Sequence, residues 1–363
     1  MAIHSSGTVP DAYSWPLLSP KNGMLLVLFL VLVFLFLLDI VLGSVHIPLK
    51  SVIGILLGKG SESLAWEKII TTIRLPKAAT AVIAGAALSV SGLQMQTLFR
   101  NPLAGPSVLG ISAGASLGVA VVMLASGGAA NAFAIRQLGL GGSWLIVLAA
   151  TLGAMAVLLI VLAIAVRIKD NIVLLIVGIM VGNVTISVIS IWQYFSEPEQ
   201  VQDYLIWTFG SLGGVLGSQL SVLAMVVALG LLISFTAAKS LNVLLLGENY
   251  ARSLGMSTFY VRVSVIAATS FLAGSVTGFC GPIGFIGIAV PHLTRSILDT
   301  SDHRFLMPSC CLVGAILMLG CDIIAQMPGS QTTLPINAVT ALIGSPVVIW
   351  VIMKNRNLKS SFS

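Results

Sequence analysis

Apolar runs long enough to cross a bilayer recur from one end of this chain to the other, and no other feature restricts its fold so severely. A span needs about 20 predominantly apolar residues to bridge roughly 30 Å of hydrocarbon. Inside that layer every backbone amide must find its partner within the protein, so runs of this kind become helices. Ten fit the chain, at 24–44, 76–98, 106–126, 144–166, 171–194, 219–237, 262–279, 283–297, 305–326 and 334–353, the third and eighth short or glycine-broken. Composition agrees, with 57% hydrophobic and only 8% charged residues among 363, where soluble domains carry about 25% charged. The expectation is an all-α polytopic membrane protein of about ten spans. A cytoplasmic tail covers 1–23, the transmembrane domain 24–353 and a second cytoplasmic tail 354–363. The polar first segment lacks the small-residue cleavage site that follows a signal peptide's apolar core, so Met24–Leu42 reads as a retained first span.

Lysine and arginine set the orientation, because cytoplasmic loops carry their excess. With the N-terminus inside, twelve of the eighteen fall on the cytoplasmic side: Lys21, Arg100, Arg167, Lys169, Lys239, Arg252, Arg262, Arg295, Arg304, Lys354, Arg356 and Lys359. Lys50, Lys59, Lys68, Arg74, Lys77 and Arg136 fall outside, five of them in or just after the first external loop. The balance predicts N-in, C-in and leaves that loop as an exception with its own cause. The net charge of +6 follows from this topology and asks for no nucleic acid. Residues 47–58 have the apolar spacing of a helix lying along the outer interface. Residues 198–214 open on proline with acids in the first turn and close on Gly-Gly, the start and stop signals of a helix. Cys280, Cys310, Cys311 and Cys321 lie in apolar segments without CxxC or Cys/His spacing, which reads as buried small side chains and no metal site.

The stretch RNPLAGPSVLGISAGASLG (100–118) sits least easily in lipid. Asn101-Pro102 and Gly105-Pro106 interrupt helical hydrogen bonding, and non-helical backbone at membrane depth survives only where protein buries it or a cavity solvates it. Gly110, Gly114 and Gly118 recur every fourth residue, which offers a small-residue face for close helix packing. A tight packing turn and a turn lining a translocation path both fit. A faint internal echo links AGAALSVSG…GPSVLGI (84–111) with LAGSVTGFCGPIGFIGI (272–288). The longest polar run between spans, LGENYARSLGMSTFYVR (246–262), faces the cytoplasm as a solvated connector or a docking surface. Arg74 and Lys77 sit at the outer mouth, either snorkelling to headgroups or meeting an acidic partner.

What is missing also counts. No GxxxxGK[ST] occurs, so the chain binds no nucleotide through a P-loop. Asp39, Asp322 and His292 are the few ionisable residues within spans, and neither aspartate has an evident basic partner within the membrane. Ion-coupled carriers rely on such groups, so a driving force from another subunit is the first reading and a secondary transporter using Asp322 the alternative. No nucleophile–base or metal-ligand arrangement is visible, and neither an enzyme nor a cofactor is expected.

With these residues the chain resembles the FecCD/BtuC-type permeases of ABC importers, which take up iron chelates, haem or vitamin B12. The resemblance rests on IRLPK (73–77), GAALSVSGLQMQTLFRNPLAGPSVLGISAGASLG (85–118), WTFGSLGG (207–214), LGENYARSLGM (246–256), GPIGFIGIAVPHLTR (281–295), SDHRFLMPSC (301–310) and LPINAVTALIGSPVVIW (334–350), in family order. It implies the type II importer permease fold in the bacterial cytoplasmic (inner) membrane. It also implies a homodimer with the pathway on its two-fold axis, two separate ATPase subunits inside and a solute-binding protein outside. Asn101, Pro102 and Leu103 then fall in the cytoplasmic gate. Gly247–Met256 falls on the ATPase-coupling segment, with Gly247, Glu248, Ala251, Arg252 and Gly255 as contact candidates. Arg74 and Lys77 match basic residues that meet acids of the binding protein in vitamin B12-importing members, and Gln326 stands where a third basic residue is expected. The implied cargo is an iron chelate (siderophore or haem), the commonest in the family, with vitamin B12 close behind.

Overall fold

The computed structural model describes residues 20–43, 45–59, 63–124, 140–168, 170–215, 217–327 and 332–354. Most of the N-terminal tail, Arg136, Lys169 and the chain after Lys354 lie outside the described residues. In chain order the helices are α1 (Pro20–Val41), α2 (Leu49–Leu56), α3 (Leu64–Lys68), α4 (Leu75–Phe99), α5 (Ile111–Met123), α6 (Leu140–Arg167), α7 (Asn171–Phe195), α8 (Pro198–Thr208), α9 (Ser218–Thr236), α10 (Ala238–Leu245), α11 (Glu248–Ser253), α12 (Thr258–Thr269), α13 (Ser275–Cys280), α14 (Ile286–Leu298), α15 (His303–Ala325) and α16 (Ile336–Lys354). A π-helical turn, Ile69–Arg74, joins α3 to α4, and another, Ser270–Gly274, joins α12 to α13. Among the described residues seven helices are long and apolar enough to cross a membrane. Three shorter apolar helices, Ile111–Met123, Ile286–Leu298 and Ile336–Trp350, bring the number to ten. The short ones include the two expected to be broken.

The helix α4 is the axis of the bundle. Every residue from Ala84 to Phe99 is buried, and α15, α14, α9 and α12 pack around it. Two glycine crossings permit this. A Cβ on Gly85 would overlap the Gly314 carbonyl of α15, and one on Gly92 would overlap the Gly287 carbonyl of α14. The serines and threonines sealed inside turn to nearby carbonyls. Ser89 Oγ donates to Cys310 O at 2.7 Å, and Ser91 and Thr97 donate back along their own helix. Such bonds replace the water a soluble helix uses. The two echoing segments meet at this axis: beyond Gly92, Gly287 also lies against Pro106, where an added Cβ would come within 2.6 Å of Cδ.

Sequence spacing puts Gly110, Gly114 and Gly118 on one helix face, and the structure divides them. Residues Pro106–Leu109 form a 3₁₀ turn that ends on Gly110 at φ 72°, a conformation glycine adopts without strain. Only Gly114 and Gly118 lie on α5, where they press on Gly153 and Ala149 of α6. The outer elements follow their patterns: α2 buries Val52 and Ile55 while Leu49 and Ile53 stay exposed, and α8 begins at Pro198 as expected.

The crossings make a contrast test. Gly92→Ala drives a methyl into backbone that has no rotamer to yield, and overpacking of this kind costs about 1–3 kcal/mol. Gly320→Ala meets nothing within 4 Å. Thermal unfolding in detergent should show a clear loss of melting temperature for the first and none for the second.

Candidate functional site

The basic-residue count assigns each loop a side, and long-range polar contacts gather the loops accordingly. Arg100, Asn171, Arg262 and Glu248 meet at the inner end, while Arg74, Lys77, Asp322 and Gln326 meet at the outer end.

At the inner end α4 stops because Arg100 turns into the left-handed region (φ 46°). Arg100 Nη2 donates to Leu244 O, the closing carbonyls of α10, at 3.0 Å. The next residues make an Asx turn in which Asn101 Oδ1 accepts from Leu103 N at 2.9 Å. His292 Nε2 lies 2.7 Å from Pro102 O. A carbonyl only accepts, so this nitrogen carries the proton and the ring pins the turn to α14. Leu103 is left 51% exposed. The expected gate residues are therefore a rigid turn carrying one bare leucine.

A cleft of about 1090 Å³ separates this turn from the coupling segment, with Asn171 and Glu248 in its lining. The segment forms α11. Gly247 precedes it at φ 118° and Gly255 follows it at φ 77°, so glycine turns bound the helix on both sides. Five contact candidates were read here from the sequence, and the structure separates them. Ala251 is fully buried and anchors α11 inward, so it offers no surface to a partner. Glu248 also turns inward: its carboxylate accepts from Asn171 Nδ2 and pairs with Arg262 at 3.6 Å and Arg252 at 3.3 Å. Arg252 and Gly255 remain exposed. Beside them Leu246, Tyr250, Leu254 and Tyr260 are exposed by 50% or more. These four carry the apolar part of the surface, and sequence reading passed over them because each looked like ordinary connector composition.

At the outer end Arg74 is buried. Its guanidinium donates to Ile40 O and Val41 O, both at 2.9 Å, and to Val45 O. It thus satisfies the final carbonyls of α1 and places a cation at that helix's negative end. Lys77 Nζ sits 3.0 Å from Asp322 Oδ1, the two side chains 19% and 3% exposed. Asp322 therefore has the basic partner that the sequence did not reveal. Gln326 Nε2 bridges the aspartates, 2.7 Å from Asp39 and 3.0 Å from Asp322. Where a third basic residue was expected, a neutral amide joins two carboxylates and ties α1 to α15. A cleft of about 400 Å³ opens on Lys77 and Asp322.

Between the two ends a groove of about 460 Å³ follows α5 and α7. Ser107, Ser112, Ser116, Asn183, Ser190 and Gln193 supply its polar lining, and no charged side chain contributes. The free cysteines Cys280, Cys310 and Cys321 are buried elsewhere, Cys311 half-buried. Among the described residues no cluster of three or more His, Cys, Asp or Glu could hold a metal.

Comparison with known proteins agrees with this architecture. The model of the FecCD transport family matches residues 31–354. The vitamin B12 import system permease BtuC of Citrobacter koseri is 36% identical over 291 residues, 80% of this chain and 84% of its own. The Escherichia coli protein of the same description is 37% identical over 80% of this chain and 85% of its own. A solved structure described as an inward-facing metal-chelate type ABC transporter superposes with a TM-score of 0.78 at 26% identity, covering 92% of this chain and 99% of that one. The match spans both polar ends and the groove between them, and the chain belongs to the FecCD transport family, whose members are the transport subunits of ABC importers and leave ATP hydrolysis to separate subunits.

Proposed function

We propose that this chain is the inner-membrane permease of an importer for a large metal chelate, with vitamin B12 the first cargo to consider. The observation that carries the reading is the uncharged groove along α5 and α7, lined mostly by apolar and glycine residues with a few hydroxyls and amides. Such a lining offers a shaped surface with a few weak polar contacts and no ion pair, so it suits a bulky solute selected elsewhere. The relatives named for vitamin B12 import move cobalamin ahead of iron chelates. One chain builds a single wall of the groove and leaves Leu103 bare at its inner end. A second copy across a two-fold axis completes the path and covers that leucine.

In this reading an ATPase subunit docks on α11 and a binding protein delivers the ligand outside. Of the two expected docking residues, Lys77 is the better placed to meet the binding protein, because it keeps some exposure while Arg74 is committed to α1. Energy enters from the inside. The Lys77–Asp322 pair gives Asp322 a structural role at the outer end, away from the groove lining, which argues against it as the ion-coupling acid of a secondary carrier.

Reconstitution with the ATPase and binding protein tests the assignment. Uptake of cyanocobalamin is expected to need ATP and to exceed that of a ferric hydroxamate chelate. Uptake without the ATPase, abolished by Asp322→Asn, would instead establish the secondary carrier. At the inner surface, Leu254→Asp should leave the permease folded yet weaken ATPase binding. Loss of an interface anchor costs about 1–2 kcal/mol, roughly five- to thirty-fold in Kd. At the outer surface, Lys77→Glu sets a third carboxylate beside Asp39 and Asp322 and should lower the yield of folded protein, so Lys77→Gln is the docking probe: its folded fraction should bind the binding protein more weakly, most at low salt. Arg74→Gln should lower the yield of folded protein more than it lowers docking.

A further inference from the structure

The inner end contains one side chain that neither the gate nor the coupling surface accounts for. Asn171, the first residue of α7, follows its own N-cap: Asp170 Oδ1 accepts from Ile172 N at 2.7 Å. The Asn171 side chain is thereby free of capping duty and reaches across to two other elements. Its Nδ2 donates to Leu98 O at 2.9 Å and also to Glu248 Oε1. Leu98 lies in the last turn of α4, where carbonyls have lost their intrahelical partners, three residues before Asn101. Glu248 is the first residue of α11. Both partners only accept, so the amide orientation is fixed by chemistry with the NH₂ toward them.

Glu248 is tied to the same place by a second route. Arg262, buried on α12, pairs with it at 3.6 Å and donates through Nη1 to Ile168 O at 2.8 Å. The short link from α6 to α7 is therefore gripped at both ends, at Ile168 through Arg262 and at Asn171 directly. The remaining atom of the amide is different. Asn171 Oδ1 is buried with no hydrogen-bond partner among the described residues. An unpaired buried acceptor is costly to keep, and the cleft between α11 and the gate turn lies beside it. The joint is thus fully bonded on its donor side and open on its acceptor side, which suits an element with two arrangements.

We infer that Asn171 is the positioning residue that converts movement of α11 into movement of the gate turn. The inference rests on the importer reading. When the ATPase shifts α11, Glu248 carries the Asn171 amide with it, and the amide moves the end of α4 and the start of α7 together. One of these holds the gate turn and the other lines the groove. Closing the cleft brings a donor to Oδ1.

The test uses the full complex with its ATPase and binding protein, carrying Leu103→Cys as reporter. The rate of labelling by a maleimide from the cytoplasmic side is compared between nucleotide-free and ATP–vanadate states, alongside ATP hydrolysis. Asn171→Ala should still hydrolyse ATP but lose the nucleotide-dependent change in labelling by about five-fold or more, the lower range of inter-site coupling. Asn171→Asp sets two carboxylates against each other and should do the same or worse. Combining it with Glu248→Gln restores a donor–acceptor pair across the joint and should recover part of the change. This recovery also answers the case in which Asn171→Ala does not fold. An unaltered labelling response in Asn171→Ala, or no recovery in the double variant, overturns the role of Asn171. If the parent shows no nucleotide-dependent change at 103 and no ATP-driven uptake, the importer reading fails and the inference falls with it.

Discussion

Lipid gives helices no hydrophobic reason to associate, because acyl chains are as apolar as leucine, so a bundle in a membrane must gain its cohesion from close contact and internal hydrogen bonds. Here that requirement converges on α4. Its neighbours approach to backbone contact at Gly85–Gly314 and Gly92–Gly287. The serines, the threonines and Gln96 along it then donate to carbonyls on α14, α15 and their own helix. With α4 fixed, both of its ends become reference points. Arg74 and Lys77 at one end, and Arg100 with the Asn101–Leu103 turn at the other, are held to a single rigid rod.

The two ends use charge differently. The outer polar groups turn inward: Arg74 satisfies α1, and Lys77 and Gln326 share two aspartates. Breaking such a buried arrangement by removing one partner is strongly destabilising, so the outer end is built to hold its shape. At the inner end Glu248 meets two arginines and an amide, and a cleft lies beside them. Its exposed leucines and tyrosines stand on and around a short helix bounded by glycines. One end is suited to be met as it stands and the other to be moved.

The architecture was largely legible in the sequence because its determinants are local. Length and hydropathy mark a span, and Gly-Pro pairs mark where a span must break. The ten apolar helices accordingly fall where the runs predicted them, and the family motifs lie in order along them. Pairings distant in the chain were not legible. Nothing in IRLPK announces that Lys77 meets Asp322, 245 positions on. Nothing in ENYARSL shows that Ala251 turns inward while Leu254 turns out. Asn171 could be read only as the start of a helix, since its two partners come from 73 and 77 positions away. Gly110 was misplaced for a different reason: a four-residue period describes a helix face only if the helix has begun, and here a 3₁₀ turn intervenes.

These placements bear on where transport energy can enter. A carrier driven by protons needs a carboxylate that changes state as the path opens. The described groove offers none, and the two membrane-embedded aspartates lie at the outer end, held by a lysine and an amide. Energy supplied from outside the bilayer must instead act through a surface that is exposed, apolar enough to bind a partner and bonded to the turn proposed as the gate. α11 meets all three conditions: Leu254 and Tyr250 face out, Ala251 faces in, and Glu248 reaches the end of α4 through one amide. The absence of charge from the groove then has a physical sense, since a permease driven at its inner surface has no use for an ion site along the path and gains from not binding its cargo tightly on the way through.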